Sequence, residues 1–295
     1  MNSSQSESNM NEEEEKFFDL IDKENEKEIN DLLSKDAPIE IWKYRNKESE
    51  NSTILHISVY KKNYSITKTI IEYIEKYNKE GLHNFINAQN ELKVTALHYA
   101  SFTGNLGIIK LLINYGADEK MITNKKLNVI HYSAQGNKPS SLMYFYLRFK
   151  EKDIKENTRL IDLIKNEDKG GSTALHWAVY SSAEDFLLFL LNLDIFVNDD
   201  EKQEFIDKRD KQGCTALHLS VVSQSSRIAL KLLQNGATPD LKDHLQRTPY
   251  QLAIEKKQVE IARIIQNSQS CQLCNFKAPV KQIKKSIKNI ILIFV

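Results

Sequence analysis

The stretch GGSTALHWAV, residues 170–179, joins a turn-forming glycine pair to Thr173-Ala174-Leu175-His176 and an apolar run. A histidine at the start of a helix would, if the pattern occurred once, point to a catalytic base or a metal ligand. The pattern recurs as TILH from Thr53, TALH from Thr95, NVIH from Asn128, TALH from Thr215 and a degenerate TPYQ from Thr248. Five of the 7 histidines, His56, His98, His131, His176 and His218, therefore hold one motif position. The spacing of these starts reads as a unit of about 33 residues, with roughly 9 or 12 more in three of the five intervals.

A period of about 33 residues with a Thr-x-Leu-His helix start resembles the ankyrin repeats. The rest of the unit agrees with that resemblance. Each motif opens a short amphipathic segment, and a second segment rich in Leu and Ile follows, as in GNLGIIKLLINYGAD from Gly104 and RIALKLLQNGAT from Arg227. The second segment ends at Gly116 or Gly236, where a residue able to take positive φ closes a helix. Asp-x-x-Gly turns, Asp168 to Gly171 and Asp210 to Gly213, precede the motif. The extra residues fall between the second helix and the next turn, where a longer connection costs only roughly 0.6 kcal/mol per doubling of length.

The fold predicted is all-α, an ankyrin-repeat solenoid of about seven helix-turn-helix units with elongated turn loops. Residues 1–11 read as a disordered N-terminus and 12–267 as the array. Residues 12–50 have the periodicity of a helix pair without the motif, which suits a capping unit. Residues 268–289 form a basic connector, and the apolar run 290–295 stands at the end of the chain as the start of a truncated membrane helix.

With 41 basic and 40 acidic side chains, the composition does not favour nucleic acid as a partner. The charge is unevenly placed. Glu12 to Glu15 form an acidic run, whereas no acid follows Glu260 and the tail carries Lys277, Lys281, Lys284, Lys285 and Lys288. Three cysteines are too few for a disulfide framework, and the polar N-terminus has no signal-peptide pattern, so the body of the protein is expected in the cytoplasm. The lysines ahead of Ile290 to Val295 match the positive-inside tendency, and six apolar residues cannot span a bilayer. Two readings of this end stand: a chain cut just inside a membrane helix, or a short membrane-surface anchor.

Candidate chemistry is sparse. The repeat histidines read as structural: Thr caps the helix, Leu enters the core, and His bonds the turn or the adjoining unit. Stacked units hold such rings roughly 10 Å apart, too far to share one ion, so no metal site is expected. Cys214 precedes a helix that could lower its pKa, yet no catalytic motif surrounds it. Cys271 and Cys274 lack the further ligands of a zinc site and sit beside a basic segment, as lipid-modified pairs do. No phosphate-binding glycine motif is present, and no cofactor is expected. Tyr99, Tyr132 and Trp177, each one residue after a repeat histidine, form an aromatic row. It suits either packing between units or the lining of a protein-binding groove on the concave face.

Two stretches carry a narrower resemblance. Asn128 to Leu147, with Ala134, Gln135, Gly136, Pro139, Ser141, Leu142, Tyr144 and Phe145, resembles a middle repeat of the ankyrin-type DHHC palmitoyltransferases. GGSTALHWAVYSSAEDFLLFLL is similar to the repeat that follows it, and Cys271 to Val295 to the connector into the first membrane helix. The resemblance implies a substrate-recruiting array in which Trp177 contributes to a peptide groove. The Asp-His-His-Cys motif of that family's catalytic domain is absent from this sequence, so no catalytic residue carries over.

Overall fold

The computed structural model describes residues 2–34, 38–151 and 160–270, with side chains described from residue 12 onward. The basic connector, Cys271, Cys274 and the terminal apolar run lie outside the described residues. The chain divides into two compact units, one ending at Tyr132 and one beginning at Ser133.

In the first unit the helices are α1 (Asn2–Asp22), α2 (Glu26–Leu33), α3 (Ile54–Tyr60), α4 (Tyr64–Tyr77), α5 (Leu82–Ile86), α6 (Ala96–Thr103), α7 (Leu106–Asn114) and the start of α8 (Val129–Gln135). α1 runs through the segment taken in the sequence as an N-terminal tail. In the second unit follow α9 (Pro139–Glu151), α10 (described over 160–165), α11 (Ala174–Tyr180), α12 (Glu184–Asn192), α13 (Asp199–Ile206), α14 (Ala216–Val222), α15 (Ser226–Gln234), α16 (Pro249–Glu255) and α17 (Val259–Ser270). Setting aside α5, α10 and α13, the described helices follow one another two to a repeat, in the order that the motif spacing implies. A two-stranded hairpin, Arg45–Asn46 against Ser52–Thr53, forms the first turn and has no signature in the motif count.

The local chemistry of each pair explains its limits. The motif Thr takes an extended conformation and caps the first helix, as at Thr53 (φ −75°, ψ 165°). The second helix has its own cap: Asn63, Asn105 and Ser225 accept the amides of Ile66, Ile108 and Ile228. Between the two helices the chain passes through left-handed φ at Lys62, Gly104, Asn137, Ser182, Gln224 and Lys257, nine residues after each motif start. Only one of those six is glycine.

The core follows the motif. Leu55, Leu97, Leu175 and Leu217, two residues after the cap, are fully buried, each contributing about 1.5–3 kcal/mol of apolar burial. Within the first unit α3 packs on α6 and α4 on α7; within the second, α11 packs on α14 and α15 on α17.

The extra residues lie where the spacing places them, and in each long interval part of them is helical. α5 buries Phe85 and Ile86, and α13 buries Phe205 and Ile206. Both helices end in an amide or carboxylate that serves the next turn: Asn87 Oδ1 accepts the Asp118 amide at 2.8 Å, and Asp207 Oδ1 accepts that of Thr238 at 2.8 Å. The shared Phe-Ile-Asn/Asp pattern is the signal in the sequence. Its apolar pair needs a core, which a solvated loop would not give it.

Candidate functional site

The repeat histidines are built into the frame. At His56, His98, His176 and His218, Nδ1 accepts the backbone N–H of the capping Thr at 3.1, 3.2, 3.2 and 3.2 Å. The Thr hydroxyl also lies against Nδ1, at 2.8 Å for His56 and 3.0 Å for His176. The histidine thus takes the place that Glu or Gln holds in an ordinary capping box; at Thr248 Gln251 does so. His131 does the same with Asn128 as the cap, its Nδ1 accepting the Asn128 N–H at 3.3 Å.

With Nδ1 an acceptor, the ring proton resides on Nε2. Nε2 of His56 donates to the Val94 carbonyl at 2.9 Å, that of His98 to Leu127 at 3.3 Å, and that of His218 to Arg247 at 3.0 Å. Each acceptor immediately precedes the next cap, so one imidazole closes its own helix and bonds the following turn. Burial holds the rings neutral, pushing His56 and His98 down to about 4 and lowering His176 and His218 as well.

His176 departs from the pattern. The carbonyl of Cys214 holds the position equivalent to Val94 and Arg247 and lies near the ring. It does not meet Nε2 in a hydrogen bond, and that buried nitrogen is without a partner. Beside it opens a cleft of ≈ 230 Å³ lined by Ser172, His176, Trp177, Tyr180, Asp210 and Leu219.

Trp177 is half-buried, and its indole Nε1 donates to Asp168 Oδ2 at 3.0 Å, so the turn ahead of the helix fixes the ring. Tyr180, one helical turn on, meets Trp177 edge to face at 5.9 Å between centroids and is 64% exposed. The sequence reading took Trp177 and passed over Tyr180; the i, i+3 spacing that puts both on one helix face was its signal. Asp210 Oδ1 accepts the amides of Gln212 and Cys214.

Tyr99 and Tyr132 lie in the first unit and form a chain of edge contacts. Tyr60 meets Tyr99 at 5.5 Å and Tyr99 meets Tyr132 at 6.5 Å. Each also packs on the preceding repeat histidine, Tyr99 on His56 at 6.0 Å and Tyr132 on His98 at 5.0 Å. Both are half-buried, and burial raises both phenols above their ordinary range. Tyr60, 53% exposed, extends the row at its open edge.

The surroundings of Cys214 disfavour its thiolate. Burial, then Asp210 and Asp243, push its thiol up to about 11, overriding any help from the helix N-terminus. Among the described residues no group of three or more His, Cys, Asp and Glu side chains could hold a metal ion, and no helix is long and apolar enough to cross a membrane.

Capped helix pairs, a histidine that at His56, His98 and His218 ties the cap to the next turn, and a short regular repeat period meet in one family. Models of ankyrin repeats match residues 20–122 and 55–158 in sets of three copies, and a single ankyrin repeat matches 212–244. The chain belongs to the ankyrin-repeat family. It is similar to the putative ankyrin repeat protein L371 of Acanthamoeba polyphaga mimivirus, 30% identical over 179 residues, which cover 60% of this chain and 20% of that relative. The Notch-regulated ankyrin repeat-containing protein B of Danio rerio is 32% identical over 89 residues, covering 27% of this chain and 80% of that protein. The crystal structure of the ankyrin repeat domain of Bcl-3, described as a unique member of the IkappaB protein family, superposes with a TM-score of 0.53 at 21% identity. That match covers 74% of this chain and 87% of that one. The ankyrin-repeat fold is an all-α solenoid and a protein-binding module. This chain spans a fifth of the length of the mimivirus relative.

Proposed function

We propose that this ankyrin array recruits a protein partner by holding an extended peptide on its concave face, with Trp177 and Tyr180 as the aromatic anchor. The observation that carries the reading is the cleft beside Trp177: a fixed indole, an exposed tyrosine and the Asp210 turn line one opening. Large rigid aromatic groups give contact area at little entropic cost, which suits a peptide site. Tyr60, Tyr99 and Tyr132 give the first unit a second aromatic strip that serves the same role where its edges are exposed. Selection of a displayed random peptide library on the full chain tests the reading. Capture that Trp177→Ala abolishes while the melting temperature holds supports it; capture indifferent to Trp177→Ala overturns it.

The finer reading is that these residues are the cytoplasmic, substrate-recruiting part of a DHHC-type S-acyltransferase. It is supported by the sequence resemblance of Asn128 to Leu147 and of the stretch from Gly170, and by the lysine-rich, acid-free segment from Cys271 to Val295. The competing reading is a free-standing cytoplasmic scaffold whose lysines touch anionic lipid, at about 1 kcal/mol per charge. Sequencing the transcript past the Val295 codon separates them. A frame that continues into membrane helices and a cysteine-rich DHHC block supports the enzyme arm, and a stop supports the scaffold.

A further inference from the structure

Two turns of the second unit carry the same carboxylate in different company. Asp243 Oδ1 accepts the amides of Leu245 and Arg247, as Asp210 Oδ1 accepts those of Gln212 and Cys214. Asp243 Oδ2 then receives two donors from the Arg247 guanidinium, Nε at 2.9 Å and Nη2 at 2.8 Å. Arg247 stands immediately before its cap, Thr248. The residue immediately before Thr215 is Cys214, so the Asp210 turn has no such guanidinium. The neighbouring Arg209 is turned to the carbonyls of Gly213 and Lys242. Among the described residues Asp210 Oδ2 has no hydrogen-bonded or ion-paired cation.

Asp210 lines the cleft together with Trp177, Tyr180 and the His176 ring. A guanidinium fits both halves of this lining: two N–H donors to one carboxylate oxygen, for which Arg247 on Asp243 Oδ2 is the template within the same chain, and stacking on an aromatic face. Burial lowers the His176 pKa and keeps the ring neutral, so it does not repel the cation.

Building on the peptide-binding reading above, we propose that the cleft takes an arginine side chain of the bound peptide, paired with Asp210 and stacked against Trp177 and Tyr180. The specificity is then for arginine within an extended segment and not for any apolar peptide.

The test uses the full chain and the peptides selected from the random library. A selected peptide is titrated beside its arginine-to-citrulline counterpart, which keeps the shape and loses the charge. Against wild type the expected loss on that change is on the order of tenfold, as for a desolvated charge-assisted pair. Asp210→Asn retains the Oδ1 acceptor that holds the turn, and Cys214→Arg supplies from within the chain the guanidinium that Arg247 gives Asp243. Both are expected to abolish the arginine preference with melting temperature maintained. Trp177-dependent capture of peptides that show no arginine preference, or equal binding of arginine and citrulline forms to wild type, overturns the inference and leaves the peptide-binding reading standing. Absence of any Trp177-dependent capture overturns both. The citrulline comparison on wild type decides the matter even if a variant fails to fold.

Discussion

His56 Nε2 lies 2.9 Å from the carbonyl oxygen of Val94, 38 residues further along the chain, while the opposite nitrogen of the same ring holds the amide of Thr53. One side chain thereby closes a helix and fastens the next turn. His98 repeats the arrangement with Leu127, and His176 makes only the first half. Replacing His98 by Ala is expected to cost about 2–4 kcal/mol, since it strips a buried cap and a buried carbonyl together. His176→Ala should cost about 1 kcal/mol less, the net worth of one hydrogen bond. Chemical denaturation of the two variants checks the order.

The neutral rings make the fold sensitive to acid. His56 and His98 titrate at about 4 when folded and near 6.5 when unfolded, so between those values the unfolded chain binds more protons. Stability is therefore greatest above about pH 6.5 and falls as pH drops toward 4. Each ring contributes up to about 3 kcal/mol to that loss. Thermal melts between about pH 7 and pH 5 should show the midpoint falling by roughly 2–4 °C per kcal/mol, and His98→Gln should flatten the slope.

The aromatic residues separate into frame and surface. Tyr132, half-buried and packed on His98 at 5.0 Å, is expected to lower the melting temperature when changed to Ala, at a cost of about 2 kcal/mol. Tyr180, exposed beside Trp177, should leave stability within about 0.5 kcal/mol when changed to Ala while weakening peptide capture by about 1 kcal/mol or more. Calorimetry and binding on the two variants check both halves.

Backbone conformation offers opposite outcomes at two equivalent turn positions. Gly213 has φ +77°, and a Cβ there would lie 2.8 Å from the backbone nitrogen of His244, so Gly213→Ala is expected to destabilise by more than about 1 kcal/mol. Lys93 holds the same place in its turn at φ 57° without being glycine. Lys93→Gly should be neutral to stabilising by up to about 1 kcal/mol, because relief of left-handed strain is set against extra freedom in the unfolded chain. Unfolding midpoints of the two variants decide.

The frame was legible in the sequence because a regular repeat puts chemically identical demands on every unit. A Thr that caps, a Leu that enters the core and a His that bonds backward and forward leave a residue pattern at fixed spacing. The site was legible only in its Trp177. Tyr180 escaped notice because it does not adjoin a repeat histidine, and Asp210 reads in sequence as one more turn aspartate.

The sequence by itself determined the helix-pair repeat, its caps and its core, since these depend on contacts within one unit and on periodicity. Tertiary structure alone decided that the His176 N–H is left without an acceptor and that Lys93, Lys126 and Gln246 take left-handed φ where Gly171 and Gly213 mark the turn elsewhere. The physical reason is that packing can impose a conformation or withhold a partner that the local residue types do not specify.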